Sequence, residues 1–126
     1  MNYLIDTHIL IWFINGDDRL TNKYITTIEN QSNVIFISKA SLWEIAIKLC
    51  IGKLKLSVKF NELEYFILER NFNILEIDFN CLNNLINLPL HHQDPFDRLI
   101  ISQAITNDMT IITDDIKFNK YSVKCL

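Results

Sequence analysis

Short apolar segments rich in β-branched residues alternate along the whole chain with longer segments of helical periodicity. In the longer segments apolar residues recur on one face, as Leu42, Ile45 and Leu49 do. This alternation predicts an α/β fold of three layers, in which a mostly parallel central sheet of four to five strands carries helices on both faces. Strands are expected at residues 3–6, 34–37, 74–77 and 110–113, with a fifth at 122–126, and helices at residues 7–14, 21–30, 39–51, 58–71, 79–88 and 95–107.

The length and composition indicate one globular domain. A chain of 126 residues can bury a core without disulfides or a structural metal. Only two glycines and two prolines occur, and no repeat or low-complexity stretch suggests a linker. Hydrophobic residues make up 49% and charged residues 21%, which excludes a disordered chain. We therefore expect residues 1–126 to form a single domain.

The cysteines and the amino-terminal residues indicate a cytoplasmic protein. Cys50, Cys81 and Cys125 are odd in number and far apart, so free thiols are expected and not disulfides or a zinc site. Asp6 interrupts the apolar start, where a secretory signal needs an unbroken apolar core. The longest apolar run, residues 9–14, is far too short to span a membrane.

The net charge offers no general attraction for nucleic acid. The formal charge is −3, from 12 basic and 15 acidic residues. The basic residues are scattered, with loose groups at residues 48–59 and 117–124. An RNA ligand would therefore be held by a local basic rim and a bound cation.

Four acidic residues fall where a parallel α/β sheet places its functional site. Asp6 closes the first strand and Asp115 follows the fourth. Glu44 lies in the second turn of the helix after the second strand, and Asp97 in the first turn of the helix that starts after Asp94. The carboxyl ends of strands and the starts of the following helices share one edge of the sheet. These acids can therefore converge although they are far apart in sequence.

A convergence of carboxylates predicts a divalent cation. Four carboxylates in one pocket repel one another, and some would take up protons unless a cation neutralised them. Oxygen ligands suit Mg²⁺ or Mn²⁺. Such a site can activate water and offset the charge that builds on a phosphate during displacement. This chemistry needs neither histidine nor cysteine.

The first two acids also have structural explanations. Asp6 could cap the first helix. Glu44 could complete a capping box with Ser41 and pair with Lys48 four residues later. Glu44 nevertheless lies within an apolar stretch, where an unpaired acid is costly.

The other acids have similar alternatives. Asp97 could favour the helix dipole or pair with Arg98. The pair Asp114–Asp115 could be a plain turn, and His91–His92 could hold their loop by hydrogen bonds. The placement of four acids on one rim favours the functional interpretation over these separate explanations.

Four segments resemble a known family. They are LIDTHILIWFI, ISKASLWEIAIKLCIGKL, LPLHHQDPFDRLIISQAI and IITDDIKFNKY. Together they resemble a PIN-domain nuclease, and more closely the VapC-type toxins of bacterial toxin–antitoxin pairs. The resemblance covers nearly the whole chain, and the motifs fall in the expected order.

The resemblance implies a PIN-like fold and a set of site residues. The family's four acids match, in chain order, Asp6, Glu44, Asp97 and Asp115. Small hydroxyl positions that support the site match Thr7, Ser38 and Thr113, and two further acids near it are Asp94 and Asp114. The resemblance also implies Mg²⁺- or Mn²⁺-dependent endonucleolytic cleavage of RNA, homodimers and inhibition by a small cognate antitoxin.

Two other classes of protein compete with this interpretation. A phosphoryl-aspartate domain also places acids at strand ends. However, receivers need an adjacent acidic pair after the first strand and phosphatases need Asp-x-Asp, whereas this chain has Asp6-Thr7-His8. A binding module could keep the fold without catalysis. A metal titration separates that module from a nuclease, because a dead module shows no carboxylate-dependent stabilisation by Mg²⁺ or Mn²⁺.

Overall fold

A single sheet of four parallel strands forms the centre of the molecule, in a computed structural model that describes residues 1–126. The strands are β1 (Asn2–Ile5), β2 (Val34–Ser38), β3 (Asn73–Leu75) and β4 (Thr110–Ile112). Their order is β3-β2-β1-β4, and Ile5 at the end of β1 pairs with Ile37 and Ile112. The carboxyl ends of β2, β1 and β4 therefore lie side by side.

Helices connect these strands. They are α1 (Thr7–Asn15), α2 (Asn22–Glu29), α3 (Lys39–Cys50), α4 (Phe60–Glu69), α5 (Phe79–Ile86), α6 (Pro95–Thr106) and a short 3₁₀ helix (Ile116–Lys120). Helix α1 ends at Asn15 and is followed by Gly16, whose φ of 60° is the left-handed conformation that glycine adopts without strain. None of the helices is long and apolar enough to cross a membrane.

Alternate residues of the strands face two separate apolar layers. Tyr3 and Ile5 pack with apolar residues of α1, α2 and α4. Leu4, between them, packs with residues of α6 such as Ile100 and Ile101. The sheet is thus buried on both faces, as parallel sheets are, and the expected three-layer α/β fold is confirmed.

The expected fifth strand is reduced to one bridge. Cys125 pairs with Ile111 in parallel fashion, and no longer ladder forms. The backbone N–H of Ile111 donates to Lys124 O, and that of Leu126 donates to Ile111 O. Only three residues of β4 extend along this edge of the sheet, and the 3₁₀ helix intervenes before the chain returns to it.

Other boundaries differ from the predictions by a few residues. Strand β3 covers residues 73–75, not 74–77, because it pairs only with the end of β2. Helix α4 covers residues 60–69, not 58–71, and α5 ends at Ile86, not at residue 88. The carbonyls of Leu88 and Pro89 instead accept hydrogen bonds from Arg98. The 3₁₀ helix was not predicted.

Candidate metal and catalytic site

Asp6 is a buried carboxylate with both oxygens engaged. Its side chain is the N-cap of α1, because Oδ1 accepts a hydrogen bond from the N–H of Ile9 at 2.8 Å. Oδ2 accepts a hydrogen bond from the Thr113 hydroxyl, and the residue is only 3% exposed. Burial raises the pKa of Asp6, and the hydrogen bonds from Thr113 and Ile9 oppose that shift. The cap explains one oxygen of this side chain and leaves the burial of the charge unexplained.

Two contacts place the first turns of α3 between the starts of α1 and α6. The Thr7 hydroxyl donates to Ser41 Oγ at 2.9 Å, which joins α3 to the residue after Asp6. The rings of Trp43 and Phe96 meet edge to face with centroids 5.2 Å apart, which joins α3 to the residue before Asp97. Glu44, on the turn that makes both contacts, therefore lies on the same rim of the sheet.

Glu44 is buried with one oxygen unpaired. It is 7% exposed, and Oε2 forms an ion pair with Lys48 Nζ at 3.0 Å. Its other oxygen, Oε1, is buried and has no hydrogen-bond partner. The expected pairing with Lys48 is confirmed. The capping-box alternative is wrong, because Ser38 caps α3 and Ser41 lies inside the helix.

Asp94 and Asp97 have different surroundings at the start of α6. Asp94 Oδ1 accepts the N–H groups of Phe96 at 2.9 Å and Asp97 at 3.0 Å, and Pro95 is the first helical residue. Asp94 is therefore the N-cap of α6, which starts where the sequence predicted. Asp94 is exposed, whereas the Asp97 side chain is only 19% exposed.

The surroundings of Asp97 favour its neutral form. Burial, and to a smaller extent the negative charges of Asp94 and Asp6, raise the pKa of Asp97 to about 6, and a hydrogen bond to His92 opposes the shift. The expected alternative pairing with Arg98 does not form, because that guanidinium binds Leu88 O, Pro89 O and the Tyr121 hydroxyl.

The acids after β4 border a recess beside Asp6. Asp115 Oδ1 accepts the N–H of Lys117 at 2.9 Å and so caps the 3₁₀ helix. The N–H of Asp115 donates to Thr113 Oγ1 at 3.0 Å. A recess of about 210 Å³ is lined by Asp6, His8, Trp12, Asp114 and Asp115. Asp114 is exposed and Asp115 is half-buried.

The structure brings the predicted residues together to different degrees. The negative charge of Asp115 raises the pKa of Asp6, and that of Asp6 raises the pKa of Asp97, so these three acids share one electrostatic environment. No three acidic, histidine or cysteine side chains lie close enough to enclose a metal ion as they stand. Ser38, also predicted, bonds to Gln103 and the N–H of Ala40 and to none of the acids.

Sequence reasoning missed two residues that organise this region. Tyr121 is 5% exposed, and its hydroxyl contacts His92 and Arg98. Gln103 is fully buried and donates to Glu76 O at 3.1 Å, which fixes the chain after β3. Neither stands in a recognisable pattern. The expectation that His92 holds its loop by hydrogen bonds is confirmed.

The donor chemistry of this rim fits a hard divalent cation. The available groups are carboxylate oxygens, which Mg²⁺ and Mn²⁺ prefer. The unpaired Glu44 Oε1 is a buried acceptor without a donor, and such an atom is costly unless a cation or a donor satisfies it. Burial is the main cause of the raised pKa values of Asp6 and Asp97, and a cation bound beside these carboxylates would lower them.

The sequence profile of the PIN domain matches residues 3–124. Among solved structures, VapBC2 from Rickettsia felis, bound to a DNA fragment from its promoter, contains a similar chain with 24% identity and a TM-score of 0.75, and the match covers 100% of this chain and 98% of that one. No curated protein shows a significant match.

Two further structures contain the same fold. VapBC-1 from nontypeable Haemophilus influenzae matches with 17% identity and a TM-score of 0.70, over 100% of this chain and 97% of that one. FitAcB from Neisseria gonorrhoeae matches with 16% identity and a TM-score of 0.67, over 98% of this chain and 96% of that one. Since the profile spans nearly the whole chain and the fold agrees throughout, this protein belongs to the PIN domain family.

Proposed function

We propose that this protein is a Mg²⁺- or Mn²⁺-dependent endoribonuclease and the toxin of a toxin–antitoxin pair. Asp6, Glu44, Asp97 and Asp115 would hold the cation. Thr7 and Thr113 would support them, and Asp94 and Asp114 would add negative charge near the site. The proposal combines membership of the PIN domain family with the carboxylates found at one end of the sheet.

The observation that carries the proposal is the unpaired Oε1 of Glu44. A buried carboxylate oxygen without a donor costs free energy in the folded protein. The helix that holds it contacts both Thr7, next to Asp6, and Phe96, next to Asp97. A purely structural glutamate would satisfy both oxygens or expose one. A cation held between these side chains would satisfy it.

The chain's own residues prepare this rim for phosphodiester cleavage. When bound, Mg²⁺ or Mn²⁺ supplies Lewis-acid chemistry that offsets the charge developing on the phosphate. The Thr113 hydroxyl and the Ile9 N–H orient the Asp6 carboxylate. Burial raises the pKa of the Asp97 carboxyl, and the hydrogen bond to His92 opposes that shift. The recess beside Asp6 leaves room for a backbone phosphate, and His8 and Trp12 line its other side.

The proposed partners follow from the similar structures and the surface. VapBC2, VapBC-1 and FitAcB support a small antitoxin as the partner of this chain. Large apolar side chains remain exposed, among them Phe79 at 84%, Ile86 at 80% and Leu90 at 80%, and exposed apolar clusters commonly mark interfaces. We propose a homodimer that acts on RNA in the cytoplasm and is inhibited by a co-encoded antitoxin.

The test is RNA cleavage with single acids removed. The wild type should cut a mixed single-stranded RNA in Mg²⁺ or Mn²⁺ and stop in EDTA. Asp6→Asn and Glu44→Gln should each cut RNA at least about 100-fold more slowly than the wild type. Losses up to about that size are typical when only a hydrogen-bond partner of a metal ligand is removed, and removal of a ligand itself should cost at least as much. Asp18→Asn is the matched control, because Asp18 is exposed and lies beyond the end of α1 that is remote from Asp6. Equal rates in all four proteins would overturn the proposal.

A second candidate is a binding module that keeps the fold without catalysis. The observation in its favour is that no three ligand groups enclose a metal position as they stand. A melting experiment separates the two candidates. Mn²⁺ at about 100 times its Kd should stabilise a nuclease by about 2.7 kcal/mol, and Asp6→Asn should weaken the effect. Equal stabilisation of wild type and Asp6→Asn would favour the binding module.

A further inference from the structure

A buried tyrosine hydroxyl lies at the centre of a polar network beside Asp97. Tyr121 Oη is 2.7 Å from His92 Nδ1, 3.2 Å from the backbone nitrogen of His92 and 3.1 Å from Arg98 Nη1. On its far side, His92 Nε2 is 3.3 Å from Asp97 Oδ2. Tyr121 and Arg98 are buried, with 5% and 9% of their surface exposed, so water does not compete freely for these hydrogen bonds.

The donors and acceptors of this network determine where each proton lies. The backbone N–H of His92 and the guanidinium of Arg98 can only donate. Both donate to Tyr121 Oη, which therefore has its two lone pairs in use. The phenolic hydrogen must then go to the remaining neighbour, His92 Nδ1. His92 Nδ1 thus accepts, and the proton of the neutral imidazole lies on Nε2.

The Nε2–H group of His92 faces the candidate ligand. This group donates to Asp97 Oδ2, and no other side chain donates a hydrogen bond to the Asp97 carboxylate. Without it, the Asp97 side chain could rotate about its terminal bond, because the backbone N–H of Asp97 is directed at Asp94. The hydrogen bond therefore selects one orientation of the Asp97 carboxylate.

The loop that carries His92 is itself anchored to α6. Arg98 Nη1 donates to Pro89 O at 2.7 Å, and Nη2 donates to Leu88 O at 3.2 Å. Because neutral oxygens bind the buried guanidinium of Arg98, this residue does not neutralise Asp97. The Asp97 carboxylate therefore stays available to a cation. Arg98 and Tyr121 together fix the position of His92, which in turn fixes Asp97.

We propose that His92 is a positioning residue for the metal-ligand role of Asp97, and that Tyr121 holds it in the Nε2–H tautomer. The role rests on the proposed function, because it assumes that Asp97 binds the cation. Groups that hydrogen-bond to metal ligands orient them, and their loss typically costs about 10- to 100-fold in metal affinity. His91 supplies a contrast within the same loop: its exposed ring packs edge to face on Tyr121 at 4.9 Å and makes no hydrogen bond.

The first measurement is the tautomer of His92 in the metal-free protein. Nitrogen-15 NMR of the imidazole distinguishes a protonated Nε2 from a protonated Nδ1. We expect Nε2–H in the wild type, and a mixture of both tautomers in Tyr121→Phe, which has no hydroxyl to donate. A wild-type His92 protonated on Nδ1 would overturn the proposal, whatever the metal does.

The second measurement is Mn²⁺ affinity by calorimetry. His92→Ala should bind Mn²⁺ at least about 10-fold more weakly. His92→Gln should recover most of the affinity, because its amide N–H can donate in place of Nε2. His91→Ala should bind Mn²⁺ like the wild type. A common loss of affinity in His91→Ala and His92→Ala, or full affinity in His92→Ala, would overturn the positioning role.

The two measurements separate this proposal from the proposed function. A wild-type protein with the Nε2–H tautomer that binds no Mn²⁺ would overturn the metal-dependent function and, with it, the role of His92. A wild type that binds Mn²⁺ and cuts RNA while His92→Ala does both equally well would overturn the role of His92 alone. Circular dichroism confirms that each variant is folded before its affinity is compared.

Discussion

The hydroxyl of Thr113, just beyond β4, donates to Asp6 Oδ2, just beyond β1, across 107 residues of sequence. The pairing is possible because β1 and β4 are parallel neighbours and their carboxyl ends coincide. Thr113 also accepts the N–H of Asp115 at 3.0 Å. One hydroxyl thus joins two of the four predicted ligands.

Replacing Thr113 by Val should therefore affect stability and metal binding together. The variant keeps the shape of the side chain but removes the hydrogen bond to a buried carboxylate, which contributes about 1.5–3 kcal/mol. Urea unfolding should show a loss of that size, with weaker stabilisation by Mn²⁺. Thr113→Ser, which keeps the hydroxyl, should retain most of both. Equal losses in Val and Ser variants would mean that the methyl group matters and the hydroxyl does not.

Asp94 and Asp97 should separate cleanly into a cap and a ligand. Asp94→Ala removes the acceptor of two backbone N–H groups and should cost ~1 kcal/mol of stability while much of the cleavage rate remains. Asn would be a poor probe of this cap, because it caps almost as well. Asp97→Asn should nearly abolish cleavage at little cost in stability. The assignment is reversed if Asp94→Ala is stable but inactive and Asp97→Asn is active.

Lys48→Met should destabilise the metal-free protein because it leaves the buried Glu44 charge without a partner. The Glu44 and Lys48 side chains are 9% and 31% exposed, so we expect a loss of about 1–3 kcal/mol by denaturant unfolding. The loss should shrink when Mn²⁺ is added, since the cation supplies the missing positive charge. Lys39→Met is the control, because its pair with Glu76 is mostly exposed and should cost under about 1 kcal/mol. Similar losses in both variants would contradict the prediction.

The metal-free protein should lose stability as the pH rises through 6. Burial and neighbouring charge hold the pKa of Asp97 at about 6, above its ordinary value of 3.8. The folded state thus keeps a proton that the unfolded chain has released, so stability from the neutral carboxyl is fully present below about pH 4 and lost above pH 6. Asp97→Asn is neutral throughout. As the pH rises from 4 to 7.5, its free energy of unfolding should therefore increase by about 1–3 kcal/mol relative to that of the wild type. A constant difference between the two proteins across that range would rule out the raised pKa.

The purified chain should be dimeric, and a small co-encoded protein should block its cleavage of RNA. The exposed Phe79, Ile86 and Leu90 side chains offer apolar surface for such contacts. Light scattering at several concentrations measures the first property, and cleavage with and without the co-expressed neighbour measures the second. A monomer at every concentration would contradict the dimer, and unimpaired cleavage in the presence of the neighbour would contradict the pairing.

Features that depend on nearby residues could be predicted from the sequence. The alternating periodicities predicted all four strands and all six helices to within a few residues, and hence the parallel sheet. Helix α6 starts at Pro95 as predicted, and α1 ends at Asn15, one residue beyond the predicted end. Caps and amphipathic faces rest on backbone hydrogen bonds and packing over one or two turns, so their signals lie within a few residues of each other.

Only the tertiary structure decided which groups the side chains of the site bond to. The sequence pattern paired Ser41 with Glu44 in a capping box, whereas Ser41 accepts from Thr7, 34 residues away. Nothing local indicated that Tyr121 would meet His92. Such pairs depend on strand order and on how the helices cover the sheet, and these are set by the burial of the whole core. Burial also decides charge: the acids were visible in the sequence, but their raised pKa values arise only when the surrounding elements exclude water.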